Sequence, residues 1–285
     1  MASMNLQDRL PPRATVRSAI HLSMLEGLIQ QKLETVARTG CQAVVLGSSD
    51  WPQTSNELDR LKDLLWSFRL EVAALETIPE DPAKAPSMAH PPSRETFLQR
   101  LTAALELARQ LEATGVCLAA GPQLPDVPLE QQQAQLVDTL RLCLEAASAS
   151  ATRLLLKPQA WPGYPPPLLR TAVEAASILD RLAHPSLKLW FDCYVEQTQS
   201  GNVTSALRQT APYLELVEVA GVPDRCEPWD GELYYPNLYR TLGELGFRGT
   251  VVWNYRPRSP ATRSLVRAID EMRAALASSP STPGS

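Results

Sequence analysis

Short apolar runs and longer mixed segments alternate along this chain eight times. The runs are VRSAIHL (16–22), CQAVVLGS (41–48), EVAALETI (71–78), GVCLAAG (115–121), TRLLLKP (152–158), LKLWFDCYV (187–195), YLELVEVAG (213–221) and GTVVWNYRP (249–257). Several are almost continuously apolar, as strands buried on both faces of a parallel sheet are. The segments between them carry helical spacing. Leu25, Ile29, Leu33 and Val36 form one stripe, stopped at Gly40. Ser55 is placed to cap a helix bearing Leu58, Leu61, Leu65 and Phe68. Leu238, Leu242 and Leu245 repeat the pattern up to Gly246. Ser259 and Pro260 fit an N-cap and first helical position ahead of Leu265, Ile269, Met272 and Leu276.

Strict alternation of strand and helix predicts a parallel sheet. Eight such units over residues 16–277 fit a single closed (β/α)8 TIM barrel of the α/β class. The alternative, an open doubly wound sheet, lacks a GxGxxG after the first strand. Residues 1–15 read as a flexible arm and residues 278–285 as a disordered tail. The proline-rich stretch 79–93 follows a strand on the side where barrels keep their chemistry, so it is either a lid or a plain surface loop.

Composition narrows the class of function. The chain has 285 residues, 44% of them hydrophobic, enough for a large core. A net charge of -4 and a pI near 5.5 argue against a polyanionic partner, so no nucleic acid is expected. No apolar run is long enough to span a bilayer, and the first residues lack the apolar core of a secretory signal. The five cysteines are scattered with no CxxC pair, which fits free thiols in a reducing cytoplasm.

Barrel chemistry sits at the C-terminal ends of the strands. Those ends carry His21, Glu76, Lys157, Asp192, Glu218 and Asn254. An ionisable residue inside LLLKP or LWFDCY is costly to bury unpaired. Lys157, Asp192 and Glu218 fall on three consecutive strands, so the ammonium is expected within ion-pair reach of one or both carboxylates. The alternative is a buried ion cluster that only ties strands together. Trp161, Tyr164, Trp253 and Tyr255 flank the same strand ends and are expected to wall the pocket. His90 and His184 lie in loops, and the three histidines show neither HxH nor HExxH spacing. A GxSxG elbow and a P-loop are also missing.

SAIHLSML, LKPQAWPGY, LKLWFDCYVEQTQSGNVT and above all PDRCEPWDGELYYPNLY resemble the hydroxypyruvate isomerase family, a branch of the xylose isomerase-like (AP endonuclease 2-like) barrels. The resemblance runs from about residue 17 to 273 in one register. It implies a divalent metal held at four strand ends, with two glutamates that move a proton between adjacent carbons. Those four positions are Lys157, Asp192, Glu218 and Asn254 here, and only the aspartate is kept. Lys157 and Asn254 stand where the family has its two glutamates. His21 and Glu76 stand where it usually has asparagine, and Val195 where it has a substrate-binding histidine. Arg225 matches a family residue that contacts substrate oxygens. Glu227, Glu232, Gly231 and the Pro162–Gly163–Tyr164 turn also match.

Two carboxylates, a carboxamide and an ammonium carry a net charge of -1, and an ammonium repels a divalent cation strongly at low dielectric. No metal and no other cofactor is therefore expected. One expectation is a metal-independent isomerase or lyase acting on a small hydroxy-carbonyl substrate. In it Lys157 serves as electrophile or Schiff-base former, Glu76 or Glu218 moves protons, Asp192 completes the catalytic set, and Arg225, Asn254, His21, Glu227, Trp161 and Tyr164 bind. The other is a catalytically silent barrel that binds a ligand or acts as a scaffold, favoured by the loss of both glutamates. A nuclease on this barrel would need more His and acidic ligands and a basic face. The sequence leaves a homodimer open.

Overall fold

The structure is a computed structural model, and it describes residues 16–79, 81, 84–161 and 165–278. The expected arm, all of the expected tail but Ser278, and the Pro162–Tyr164 turn lie outside the described residues. Eight parallel strands close on themselves in sequence order. They are β1 Arg17–His21, β2 Ala43–Leu46, β3 Glu71–Glu76, β4 Gly115–Leu118, β5 Arg153–Leu156, β6 Leu187–Asp192, β7 Leu214–Val219 and β8 Thr250–Trp253. Each lies within one of the apolar runs. The last pairing, Ile20 with Trp253, joins β1 to β8 and leaves no sheet edge.

Nine helices among the described residues form the outer layer: α1 Ile29–Arg38, α2 Ser55–Phe68, α3 Arg94–Gln110, α4 Leu129–Ala147, α5 Ala172–Leu182, α6 Cys193–Gln199, α7 Val203–Thr210, α8 Tyr235–Glu244 and α9 Ala261–Ala277. None is long and apolar enough to cross a membrane. Local chemistry shifts three expected boundaries. Thr54, not Ser55, caps α2 by accepting from the Glu57 amide. Pro260 precedes α9 as its cap, because Ser259 gives its amide and hydroxyl to Glu227. The run 187–195 is strand only to Asp192, whose carboxylate accepts from the amides of Tyr194 and Val195 and starts α6 at once.

Period-two alternation sorts the strands into an outer and an inner face. Leu189, Phe191, Val217, Val219 and Trp253 face the helices and belong to the main core. Inside the barrel, Ala19, Ala74, Leu155, Trp190, Leu216 and Val252 form a second buried cluster. His21, Glu76, Lys157, Asp192, Glu218 and Asn254 each follow one of these by two residues. Six strands thus raise a polar side chain directly above the apolar filling.

The proline-rich loop is fastened where it crosses β4. Met88 and Ala89 are fully buried, the Met88 amide donates to the Ala120 carbonyl at 2.9 Å, and its carbonyl accepts from Thr139 Oγ1 at 2.8 Å. Gly121 makes this approach feasible: its φ is +75°, and a Cβ there would stand 2.7 Å from the Pro86 carbonyl oxygen. Gly121→Ala is expected to cost about 1–3 kcal/mol, read as a lower urea midpoint at unchanged m. An unchanged midpoint would contradict this docking of the loop.

Candidate active site

The six strand-end side chains and Arg225, from the loop after β7, meet in a cavity of about 520 Å³ at the C-terminal mouth of the barrel. Lys157 Nζ lies 2.8 Å from Glu218 Oε2 and 2.9 Å from Glu76 Oε1. It also lies 4.4 Å from the ring centre of Trp190, a cation–π distance. Arg225 Nη2 lies 2.9 Å from Asp192 Oδ2, and its Nη1 lies 3.3 Å from Glu218 Oε1. Tyr194 supports that guanidinium from below at 4.2 Å. Arg225 itself occupies a left-handed turn with φ 52°, and its carbonyl accepts from the Arg256 amide at 2.6 Å.

Glu218 is wholly buried and accepts from four donors: Lys157, Arg225, Asn254 Nδ2 at 2.9 Å and Trp190 Nε1 at 2.9 Å. Burial pushes its pKa up, as do the Asp192 and Glu76 charges, while Lys157 and Arg225 oppose them. Since all four neighbours donate, a proton on Glu218 would find no acceptor, and the carboxylate is the form this cage holds. Asp192 is similarly saturated by Arg225 and two backbone amides. Burial raises its pKa, but Arg225 and Lys157 outweigh burial and hold it low.

Glu76 is less enclosed, with 14% of its side chain exposed. Burial again favours its neutral form, yet Lys157 and His21 carry it well below the ordinary carboxylate range. His21 Nε2 lies 3.1 Å from Glu76 Oε2, and Nδ1 lies 2.7 Å from Ser23 Oγ and 3.3 Å from the Ser23 amide nitrogen. Ser23 donates to Nδ1, so the hydrogen belongs on Nε2, aimed at Glu76. Lys157 moves the other way. Burial favours its neutral amine, but Glu218, Glu76 and Asp192 together raise its pKa and keep it an ammonium.

The ammonium therefore meets Glu218 and Glu76, while Asp192 goes to Arg225. Glu227 is not at the mouth. Its Oε1 accepts from the amides of Arg258 and Ser259 and from the Ser259 hydroxyl, tying the start of α9 to the β7 loop. The expected aromatic wall is absent among the described residues. Trp161 turns its Nε1 to the Pro165 carbonyl and does not line the cavity. Trp253 and Tyr255 are buried against the helices, because they sit at outward positions flanking Asn254. Tyr164 lies outside the described residues. Trp190, two residues before Asp192, is wholly buried beneath the Lys157 ammonium and does not itself line the cavity. Gln159, Lys32 and Arg256 also line the cavity. They sit beyond the strand ends, where alternation gives no guide.

Residues 33–275 match the xylose isomerase-like TIM barrel family. The chain belongs to that family. Among its relatives, the hydroxypyruvate isomerase of Escherichia coli is 27% identical over 264 residues, covering 90% of this chain and 100% of the relative. The 2-oxo-tetronate isomerase of Cupriavidus necator is 30% identical over 178 residues, covering 61% and 67%. A solved structure titled AP endonuclease, family 2, from Brucella melitensis superposes with a TM-score of 0.80 at 22% identity, covering 90% of this chain and 99% of that one. At that identity it shows the fold alone.

The divalent metal implied by resemblance to xylose isomerase-like barrels does not fit the donor set here. A cation needs converging free oxygens. Both oxygens of Asp192 and of Glu218 already accept from donors, and two cationic side chains share the space. Among the described residues no group of three His, Cys, Asp or Glu is arranged to hold a metal ion.

Glu76 gives the cluster a pH signature. Its folded pKa lies below the ordinary 4.5, so its contribution is complete above about pH 5 and is lost as pH falls through 4.5 and lower. Urea midpoints of the wild type and Glu76→Gln are expected to differ most at pH 6, with a gap that shrinks steadily as pH falls below 4.5 and is still open at pH 3. A gap that stays constant with pH would contradict the pairing.

Proposed function

We propose that this protein is a metal-independent isomerase of small hydroxylated carbonyl compounds, in which the Lys157 ammonium takes the role of the metal. The observation that carries this is Lys157 Nζ itself, held charged between Glu76 and Glu218 on the cavity floor. The relatives named as isomerases of hydroxypyruvate and 2-oxo-tetronate support the reaction class.

Substrate binds with its carbonyl oxygen toward Lys157 and Arg225, both of which donate to charge building on that oxygen. Glu76, the most open of the three carboxylates, removes a proton from the neighbouring hydroxyl-bearing carbon. The electron pair left there forms the carbon–carbon double bond of an enediolate, and the carbonyl electrons move to oxygen. Glu76 returns the proton to the former carbonyl carbon, while the hydroxyl proton passes to the other oxygen. Substrate and product are thus isomers, and nothing is oxidised overall. In the empty site Glu76 is a weak base. When Lys157 turns toward the substrate oxygen, its hold on Glu76 loosens and the carboxylate gains basicity. A Schiff base is disfavoured, because it needs the neutral amine that these carboxylates suppress.

A second reading is a silent binding pocket, favoured by the saturation of Asp192 and Glu218. One experiment separates the two. Hydroxypyruvate in deuterated buffer with a chelator is expected to gain deuterium at its hydroxyl-bearing carbon when wild type is added. Glu76→Gln should slow that exchange by roughly 10²–10⁴-fold. Lys157→Met should abolish it and lose about 3–5 kcal/mol of stability, because buried carboxylates are left unpaired. Full exchange by Lys157→Met would remove the ammonium from the mechanism. Exchange that appears only with added divalent metal would overturn metal independence. No exchange by wild type with this compound or 2-oxo-tetronate would leave the silent pocket.

A further inference from the structure

A base that takes a proton from a molecule in the mouth must reach the cavity with a free lone pair. Asp192 and Glu218 fail that requirement. Their side chains are 1% and 0% exposed, and all four of their oxygens already accept from donors. Lys157, Arg225 and Arg256 are cations, Lys32 is paired with Asp50 at 2.7 Å, and Asn254 presents a neutral amide turned to Glu218. His21 has both ring nitrogens engaged, and its Nε2 lies 3.1 Å from Glu76, so any proton it moved would travel on the Glu76 side. Among the described residues this leaves Glu76, 14% exposed, as the one carboxylate able to act on a molecule in the cavity.

Its place in the barrel makes that action one-sided. The strands close in sequence order, so β3 stands opposite β7. Glu76 reaches in from β3, and the far wall, from β6 to β8, is made of the saturated carboxylates and their donors. Lys157 Nζ bridges Glu76 and Glu218 Oε2 at 2.9 and 2.8 Å, and Arg225 Nη1 lies 3.3 Å from Glu218 Oε1. The two cations thus sit side by side along one carboxylate edge. Two oxygens on the same side of a carbon–carbon bond match that pair of donors. A carbonyl oxygen and the neighbouring hydroxyl oxygen held there lose rotation about the bond between their carbons. One hydrogen of the hydroxyl-bearing carbon then points to Glu76, and the other points to a wall without an acceptor.

We infer that this mouth works on one face only: Glu76 takes one of the two hydrogens of a hydroxymethyl ketone and returns a proton to the same face of the planar intermediate. The carbon–hydrogen bond breaks as an oxygen–hydrogen bond forms on Glu76, and the electron pair enters the enediolate. On return the oxygen–hydrogen bond breaks and a new carbon–hydrogen bond forms, with nothing oxidised or reduced overall. Inverting a carbon needs removal on one face and delivery on the other. The positions that the family resemblance gives to two glutamates are Lys157 and Asn254, so the chain has no second base for inversion and is stereospecific by construction. The inference rests on the isomerase reading and adds its stereochemical course.

The test uses hydroxypyruvate carrying a single deuterium at C3, prepared separately in the R and the S configuration. Each is incubated with wild type in ordinary water with a chelator. Label leaving C3, to solvent or to the neighbouring carbon, is followed by NMR, and the rate without protein is subtracted. One of the two is expected to lose its label roughly 10²-fold faster than the other, the advantage of a positioned base. Glu76→Gln should bring the fast one down to the slow one. The wild-type comparison needs no variant, so it decides the matter even where Glu76→Gln folds poorly. Comparable loss from both configurations would place an acceptor on each face and overturn the inference. Unchanged or reversed preference in Glu76→Gln would overturn it too. Loss of neither label with wild type is a different failure: it would end the isomerase reading, and the inference with it.

Discussion

Charge pairing at the rim of a closed barrel governs this molecule. Glu76, Asp192 and Glu218 are raised to one depth above an apolar filling, where an unpaired charge is prohibitively expensive. Lys157 and Arg225 are the groups that make their burial tolerable. The same requirement reaches outward. His21 takes the second oxygen of Glu76 and is itself oriented by Ser23. Asp192 spends its other oxygen on the amides that open α6. Arg225 is held in a left-handed turn whose carbonyl is tied to the β8 loop.

The departure from the metal-binding set that the family resemblance implies is a coupled exchange. An ammonium on β5 carries one positive charge and three hydrogen-bond donors. It can pair with carboxylates on β3 and β7 at once, as it does here. A carboxamide on β8 donates to Glu218 where a carboxylate would repel it. On the proposed reading, the mouth keeps an electrophile and a proton carrier without the coordination chemistry that a divalent ion demands, its charge coming from the chain itself.

Much of this was legible in the sequence because a strand has a period of two and a barrel has one mouth. The apolar runs located all eight strands, and their ends located the six polar residues that share the cavity. What could not be read was pairing. Asp192 and Glu218 look alike in sequence, yet the guanidinium in the β7 loop takes Asp192 and leaves Lys157 to Glu218 and Glu76. Glu227 resembles a site residue but serves the start of α9. Trp253 and Tyr255 flank Asn254 in sequence, but strand alternation turns both away from the pocket and into the outer core. Gln159 and Arg256 stand in loops, where side-chain direction follows backbone hydrogen bonds that no local pattern reveals.

The central claim is that the Lys157 ammonium occupies the place that the family resemblance assigns to a metal. Titrating the metal-free protein with Mn²⁺ and following free ion by electron paramagnetic resonance tests it directly, with wild type set beside Lys157→Glu/Asn254→Glu. Wild type is expected to leave Mn²⁺ free, whereas the double variant, with its glutamates restored and the ammonium gone, binds close to one ion per chain. Stoichiometric Mn²⁺ binding by wild type that disappears on substitution of Asp192 or Glu218 would contradict the account.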